Sequence, residues 1–465
     1  MNVFGHLLMA LLAWGVLAFG GVYPWAYVPL AAGAATLGLW AIARTRAWLD
    51  ARARVLMYAL AAVAIAIGLQ LVPLPYDWFV TLSPGADRLL RELELGYALE
   101  PPAWHPLSAR PEATATFLGM VIAFGLLLIG LTRIAGRLRL DWLVTQLMTF
   151  GLALAFFGIV QNAVMPKDEY LVYGFWRPQA TATPFGPFIN RNHFAGLMLL
   201  LIPLVAGFAA GVAALSPRPR HRDAAGWVRW FLSPEAGRFA FASVAVVAMV
   251  GAVLVSGSRS GMAGFAVALA VFAGLAAARV RRREARVAIW MYVGVLVVGA
   301  LGWVGMEPVI ERFQLAGTDL QDRLAAWRDT VDIIRDFPLA GTGFGAYGAA
   351  MLIYQTADRA SIFIHAHNDY LQVVAEGGAL VAIPVAVALG VIVRGIHRRL
   401  RRGEDEAMTG WIRLGAVAGL GGIAAQSLLE FSLQMPGNAA MCVVLMAIAL
   451  HRPRRPVVDP DAHRV

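Results

Sequence analysis

Residues 239–256 read FAFASVAVVAMVGAVLVS and residues 261–278 read GMAGFAVALAVFAGLAAA, with only Gly257-Ser258-Arg259-Ser260 between them and no charged side chain in either run. Eighteen residues of α-helix span about 27 Å, close to the ~30 Å of bilayer hydrocarbon. The pair therefore predicts two membrane helices joined by a very short turn. Working outward, runs of this length recur along the 465 residues. Twelve spans are expected, over 3–21, 26–43, 55–74, 113–132, 142–165, 192–214, 239–256, 261–278, 288–306, 369–393, 411–429 and 435–450. Hydrophobic residues make up 59% of the chain and charged residues 15%, and the mean hydropathy of +0.65 leaves no room for a large water-soluble domain. The runs are continuous rather than alternating, which excludes a β-barrel. The expected fold is an all-α integral membrane protein of about twelve transmembrane helices.

Charge then sets topology. The even-numbered connections and the tail hold 27 of the 39 basic residues and 10 of the 29 acidic ones. By the positive-inside rule that side is cytoplasmic, with both termini inside. The net charge of +10 is thus a topology signal and not a sign of nucleic-acid binding. Residues 3–21 read as a retained first helix, because no basic n-region or small-residue cleavage site accompanies them. The lone cysteine, Cys442, lies in the last apolar run and excludes an intramolecular disulfide.

The organisation follows. Residues 1–306 hold spans one to nine with periplasmic loops near 76–112 and 166–191, residues 307–368 form a long periplasmic loop or lid, residues 369–450 hold spans ten to twelve, and 451–465 form a basic cytoplasmic tail. In the first loop Ser83-Pro84 reads as the N-cap and first turn of a short helix. In the long loop Leu320, Leu324, Trp327, Val331 and Ile334 repeat at spacings of four and three, an amphipathic helix on the membrane face or over a cavity, stopped by Phe337-Pro338.

Polar residues concentrate at the outer ends of the spans, where an ionisable group is costly unless it has work to do. Arg191, within Asn190-Arg191-Asn192-His193, and Arg259, within Ser258-Arg259-Ser260, sit at helix N-termini at one depth. Free amides, the helix dipole and two guanidinium forks would suit a pyrophosphate there; the alternative is that each arginine snorkels to headgroups or caps its helix. Arg323 lies on the amphipathic helix of the long loop. His365-Ala366-His367-Asn368-Asp369-Tyr370 opens span ten, and Asn368, Gln372 and Glu376 make one polar stripe. A neutral imidazole can accept a proton from an attacking hydroxyl. His367 is the expected base with His365 as the alternative. A structural cap and a His-x-His metal site completed by Asp369 or Glu376 remain open beside it. Glu430 is placed on span eleven. Gly341-Thr342-Gly343-Phe344-Gly345 fails the dinucleotide fingerprint and reads as a tight loop whose amides contact glycan, and Gly415 and Gly419 mark close helix packing.

On Phe188 to Gly196, on Ser258-Arg259-Ser260-Gly261, and above all on His365 to Gln372, the chain resembles the O-antigen ligase / O-antigen polymerase superfamily of bacterial membrane glycosyltransferases. The family pattern of His, then a small polar residue, nine positions and Gly fits His367, Asn368 and Gly378; Leu380-Val381 depart from its continuation. The resemblance implies a fold of the GT-C type and transfer of a glycan, with inversion, from undecaprenyl pyrophosphate at the periplasmic face of the inner membrane, with no metal or other cofactor. Arg191, Arg259 and Arg323 would bind the pyrophosphate and His367 would be the base. Asn192, Ser258, Asn368, Asp369, Tyr370 and Glu376 would support them. The acceptor would be lipid A–core (a ligase) or a second lipid-linked glycan (an O-antigen or exopolysaccharide polymerase). The alternative class is a secondary transporter of an anion or glycan-lipid, which predicts broken helices in corresponding halves.

Overall fold

A computed structural model describes residues 2–45, 51–134, 138–165, 171–178, 182–216, 231–280, 316–356, 362–403 and 406–451, together with a few isolated positions between them. Its helices are α1 Asn2–Leu17, α2 Pro24–Ala43, α3 Ala51–Leu69, α4 Tyr76–Leu82, α5 Pro84–Leu93, α6 Leu95–Leu99, α7 Pro111–Ile134, α8 Leu140–Val164, α9 Arg191–Leu215, α10 Pro234–Ser256, α11 Arg259–Arg279, α12 Ala316–Asp336, α13 Tyr347–Tyr354, α14 Asp369–Arg402, α15 Ala407–Gln426 and α16 Pro436–Leu450. Eight of them are long and apolar enough to cross a membrane, and α1, α3 and α16 contribute shorter apolar segments. The chain is an all-α, multi-pass membrane protein. Apart from isolated positions, the span expected at 288–306, the basic cluster near 281–286 and the tail after His451 lie outside the described residues.

The bundle is organised on α9. Buried positions fill 78% of its most apolar stretch, against 22% for α14. Helices cannot be driven together by hydrophobicity inside lipid, so small residues must let backbones approach. A Cβ at Gly415 of α15 would sit 2.3 Å from the carbonyl of Pro203 in α9, and one at Gly419 would sit 2.9 Å from that of Leu200. The Gly415/Gly419 pair is therefore the seam between α9 and α15. Two residues before Gly415, Arg413 is buried and donates to the carbonyls of Ala449 and His451, closing the C-terminus of α16.

Outside the bundle, two loops far apart in sequence form one cap. Pro73–Pro75 pairs antiparallel with Trp104–Pro106, and α4 to α6 fold back on that ribbon. Phe79, Leu89, Leu90 and Tyr97 then share an apolar core with Ile333, Phe337, Tyr347 and Met351. Arg88 of α5 donates to Asp336 of α12 and to the hydroxyl of Tyr354 in α13. Ser83 stands at the N-cap of α5, but its side chain makes no capping bond; its carbonyl receives the Ala86 and Asp87 amides instead.

The amphipathic helix is present as α12, but rotated from the expected apolar face. Leu324 and Val331 are 40% and 37% exposed, whereas Ala326, Asp329, Thr330 and Ile333 are buried. Polar residues take the inner face because each has a partner. Asp329 accepts the amide and hydroxyl of Thr356, and the Thr330 hydroxyl pairs with that of Tyr347.

The Gly341–Gly345 loop also has a different task from glycan contact. Helix α14 breaks at Gly378, whose φ of 56° and ψ of −166° only glycine adopts easily. The loop fills the break. The amides of Thr342 and Gly343 donate to the carbonyls of Ala375 and Glu376, and those of Ala379 and Leu380 donate to Pro338 and Leu339. Gln70 adds bonds to Ala340 and Glu376 carbonyls at 2.6 and 2.9 Å. Backbone groups freed by the kink are thus satisfied by the cap, as hydrocarbon requires.

Candidate functional site

Helices α9 and α11 begin side by side. Asn190 caps α9 by accepting the Asn192 amide at 2.8 Å, and Ser258 caps α11 by accepting the Gly261 amide at 3.1 Å. A Cβ on Gly261 would lie 2.5 Å from that of Ala195, so the first turns touch. Between the helices the Ser258 hydroxyl donates to Asn192 Oδ1 at 2.7 Å. Arg191 and Arg259 are the first residues of these two helices. The positive dipole ends of the two helices therefore lie at the same end of the bundle, and both arginines are half-buried.

The centre of the cluster is Glu430, wholly buried in the connection between α15 and α16. It lies beyond the end of α15, not on a span. Its Oε1 accepts Asn192 Nδ2 and Arg323 Nη2, each at 2.6 Å, and its Oε2 faces His367 Nδ1 at 3.3 Å. Arg323 also donates to the Leu429 carbonyl. Its guanidinium is thus engaged by the protein itself. Burial alone would push the Glu430 carboxyl up. The His367 hydrogen bond and the Arg323 charge outweigh it and hold Glu430 below the usual carboxylate range.

His367 has a left-handed backbone, φ 48°, an uncommon conformation for a residue with a Cβ. It lies one residue before the N-cap of α14. Asn368 is that cap, its Oδ1 accepting the amides of Tyr370 and Leu371 at 3.1 Å. The Phe431 ring stands among three imidazoles. His365 stacks on it at 4.1 Å, His367 meets it edge-on at 5.0 Å, and buried His193 does so at 4.7 Å.

His365 is hydrogen-bonded by a neutral amide. Gln372 Oε1 accepts the Ala366 amide at 3.1 Å, which fixes the orientation of the side-chain amide. Its Nε2 therefore points at His365 Nδ1, 3.3 Å away, and at Gln434 Oε1. Since the amide nitrogen can only donate, Nδ1 of His365 accepts and the ring proton sits on Nε2. Burial, with the nearby His367 second, pushes His365 down to about 4, so it is neutral at pH 7.

The remaining expected residues are dispersed. Asp369 accepts from Ser427 Oγ at 2.8 Å and Gln434 Nε2 at 3.1 Å. Glu376 accepts the amides of Gly345 and Tyr347 at 3.0 and 3.1 Å, which joins it to the cap loop. The Tyr370 hydroxyl bonds the Ala424 carbonyl on the side of α15. With Asp369 and Glu376 engaged in this way, neither faces the two histidines as a third ligand, and among the described residues no group of three or more His, Cys, Asp or Glu could hold a metal ion. Next to His365, a cavity of about 440 Å³ runs between α3, α7, α14 and α16, with His365, Gln372, Glu376 and Gln434 at its polar end.

Glu430 had a signal in the sequence, a carboxylate between apolar runs, but nothing there indicated its partners. Phe431 and Gln434 had none.

A search of the curated proteins gives no match to this chain. A family model described as O-antigen ligase matches residues 244–386. That stretch contains Arg259, Arg323, His365 and His367, while Arg191, Asn192 and Glu430 join the cluster from outside it. The match covers under a third of the chain, and it shows that residues 244–386 are similar to the O-antigen ligase/polymerase superfamily.

Proposed function

We propose that the chain transfers a glycan from undecaprenyl pyrophosphate to a sugar hydroxyl, at the periplasmic face of the inner membrane and with both termini cytoplasmic. The observation that carries this reading is the contact between His367 Nδ1 and buried Glu430, beside the two arginine-bearing helix ends. An ionised Glu430 accepts a proton only from Nδ1–H, which leaves the lone pair on Nε2. His367 is then the base and His365 a hydrogen-bond donor.

In the reaction the acceptor hydroxyl gives its proton to His367 Nε2 as its oxygen attacks the anomeric carbon from the face opposite the pyrophosphate. The bond from that carbon to the pyrophosphate oxygen breaks, its electron pair leaves with the lipid pyrophosphate, and the configuration inverts. Arg191 and Arg259, with the amides of their first turns, stabilise the charge that builds on the leaving group. Arg323 holds Glu430 rather than substrate. The step needs no metal, because guanidinium groups replace one at the pyrophosphate.

A transporter would also carry a broken membrane helix. Here the break at Gly378 is filled by the cap loop, and no second membrane helix among the described residues has a matching one. That arrangement favours a fixed site over alternating access.

The test is transfer by purified protein from an undecaprenyl-pyrophosphate-linked glycan, with lipid A–core in one tube and only more donor in the other. A single shifted product in the first identifies a ligase and a ladder in the second a polymerase. Arg191→Lys and Arg259→Lys are expected to fall well short of wild-type rates, since an ammonium lacks the bidentate fork. Wild-type rates in both would reject the pyrophosphate site, and activity lost to EDTA and restored by metal would reject the metal-free step.

A further inference from the structure

Three polar side chains are wholly buried where α9, α15 and α16 meet. Gln426 is the last residue of α15, Ser432 lies in the connection to α16, and Asn438 stands in the first turn of α16. All three grip the first turn of α9. The Asn192 carbonyl accepts Gln426 Nε2 at 3.0 Å and Ser432 Oγ at 3.3 Å. The His193 carbonyl accepts Asn438 Nδ2 at 2.9 Å, and the same Nδ2 reaches the Ser432 carbonyl at 3.2 Å, which closes the clamp on itself.

Backbone satisfaction does not account for these bonds. Asn192 and His193 lie inside α9, where the amides of Gly196 and Leu197 are the regular partners of their carbonyls. Stability does not account for them either. Among the described residues, Gln426 Oε1 and Asn438 Oδ1 are buried without a hydrogen-bond partner. An orphaned acceptor is costly in an apolar interior, and a methionine or leucine in its place would leave none. Helix α9 also keeps a glycine where the clamp enters, since a Cβ at Gly196 would lie 2.8 Å from both Gln426 Oε1 and Ser432 Cβ.

What the clamp holds is the segment that carries Glu430. Its members stand four residues before, two after and eight after that carboxylate. Ser427 and Gln434 tie the same segment to Asp369 at the start of α14. The connection is thus stapled to α9 on one side and to α14 on the other, and Glu430 bridges the same two elements, from Asn192 Nδ2 to His367 Nδ1. We infer that Gln426, Ser432 and Asn438 are positioning residues, which hold Glu430 in register with the first turn of α9 so that its Oε2 stays on His367 Nδ1 and keeps that nitrogen the protonated one. The ring nitrogen that carries the proton is set by the bond the other makes possible, so residues that never meet the imidazole govern its tautomer. That this imidazole then takes a hydroxyl proton rests on the transfer reading above. The clamp's hold on the tautomer does not.

The experiment reads the tautomer and needs no turnover. The full chain, with its histidine rings labelled with nitrogen-15, is placed in lipid nanodiscs at about pH 9, above the ordinary imidazole range. Solid-state NMR then reports each ring nitrogen, and His367→Ala identifies the His367 signals. His367 is expected to show a protonated Nδ1 and a bare Nε2. Gln426→Met and Asn438→Leu keep the volume and remove the amide. Each variant that remains folded should lose most of the Nδ1-protonated signal. Gly196→Ala reaches the same end by another route, because it retains both amides and pushes them aside. An unchanged His367 tautomer in these variants would overturn the inference. In the transfer assay Gln426→Met should lower kcat by about 10- to 100-fold with the donor KM nearly constant. In a Glu430→Ala background it should cost less than about twofold more, because the clamp acts through that carboxylate. Losses that simply multiply would also overturn it. Wild-type protein that transfers nothing would reject the transfer reading and leave the NMR result to decide this one.

Discussion

His365 and His367 are two residues apart in the chain and lie on the same aromatic ring, yet they have opposite surroundings. His367 faces a buried carboxylate that also binds Arg323 and Asn192. His365 faces a glutamine amide held by a backbone N–H, at the mouth of an apolar groove. The first set of partners leaves an imidazole lone pair available as a base, and the second leaves an N–H available as a donor. The difference teaches that two identical residues can be given different hydrogen-bonding capacity by what sits on the far nitrogen of each ring, and the proposed proton roles rest on that.

The sharpest way to break this comparison is to remove each ring in turn. His367→Ala is expected to lower the transfer rate by about 10²- to 10⁴-fold, the usual contribution of a general base. His365→Ala should cost no more than about tenfold and act mainly on KM for the acceptor, as loss of one hydrogen-bond donor would. Reversed effects, measured by steady-state transfer on both acceptors, would exchange the two roles.

Next in size is Glu430. Glu430→Ala leaves the Arg323 guanidinium without its buried partner, and removal of one member of a buried pair costs about 3–5 kcal/mol. Since Arg323 and Glu430 interact directly, the double variant Arg323→Ala/Glu430→Ala should be less destabilised than the sum of the single changes. Thermal unfolding of the four proteins measures this. Strict additivity would mean that Glu430 is not the hub of the cluster.

The smallest effect expected is in the cap, where ion pairs are exposed to water. The Tyr354 hydroxyl first, and then Arg88, hold the Asp336 carboxyl below its ordinary value. A carboxylate with a lowered pKa in the folded state stabilises the protein above the ordinary carboxylate range, and that contribution is lost as pH falls through the lowered value. Arg88→Ala should therefore destabilise the cap by under about 1 kcal/mol at pH 7, and by less still near pH 3. Hydrogen exchange of α12 and α13 amides at the two pH values reads this difference. A penalty that grew on acidification would show that the pair is not what joins the two loops.

The contrast between bundle and cap also explains how far the sequence could be read. Membrane helices are dictated locally, because hydrocarbon demands about twenty uncharged residues that satisfy their own backbone. Eleven of the twelve expected spans coincide with helices, and the twelfth, at 288–306, lies outside the described residues. The His365–Gln372 motif, the arginines at the first turns of α9 and α11 and the Gly415/Gly419 seam were legible for the same reason: each depends on neighbours one or two helical turns away. The inward face of α12 was not. It carries Asp329 and Thr330, whose partners Thr356 and Tyr347 come from another segment.

The sequence by itself determined an all-helical membrane protein and the stretches, at the first turns of α9, α11 and α14, in which arginine, asparagine and histidine gather. Only the tertiary structure decided that loops near residues 76–112 and 316–356 make one cap, that the Gly341–Gly345 loop fills the break at Gly378, and that Glu430 joins Arg323, Asn192 and His367 while His365 turns to the groove. The physical reason is that hydrophobic patterning is a property of consecutive residues. The partner of a buried charge or of an imidazole nitrogen, by contrast, is chosen by contacts between segments that no local pattern encodes.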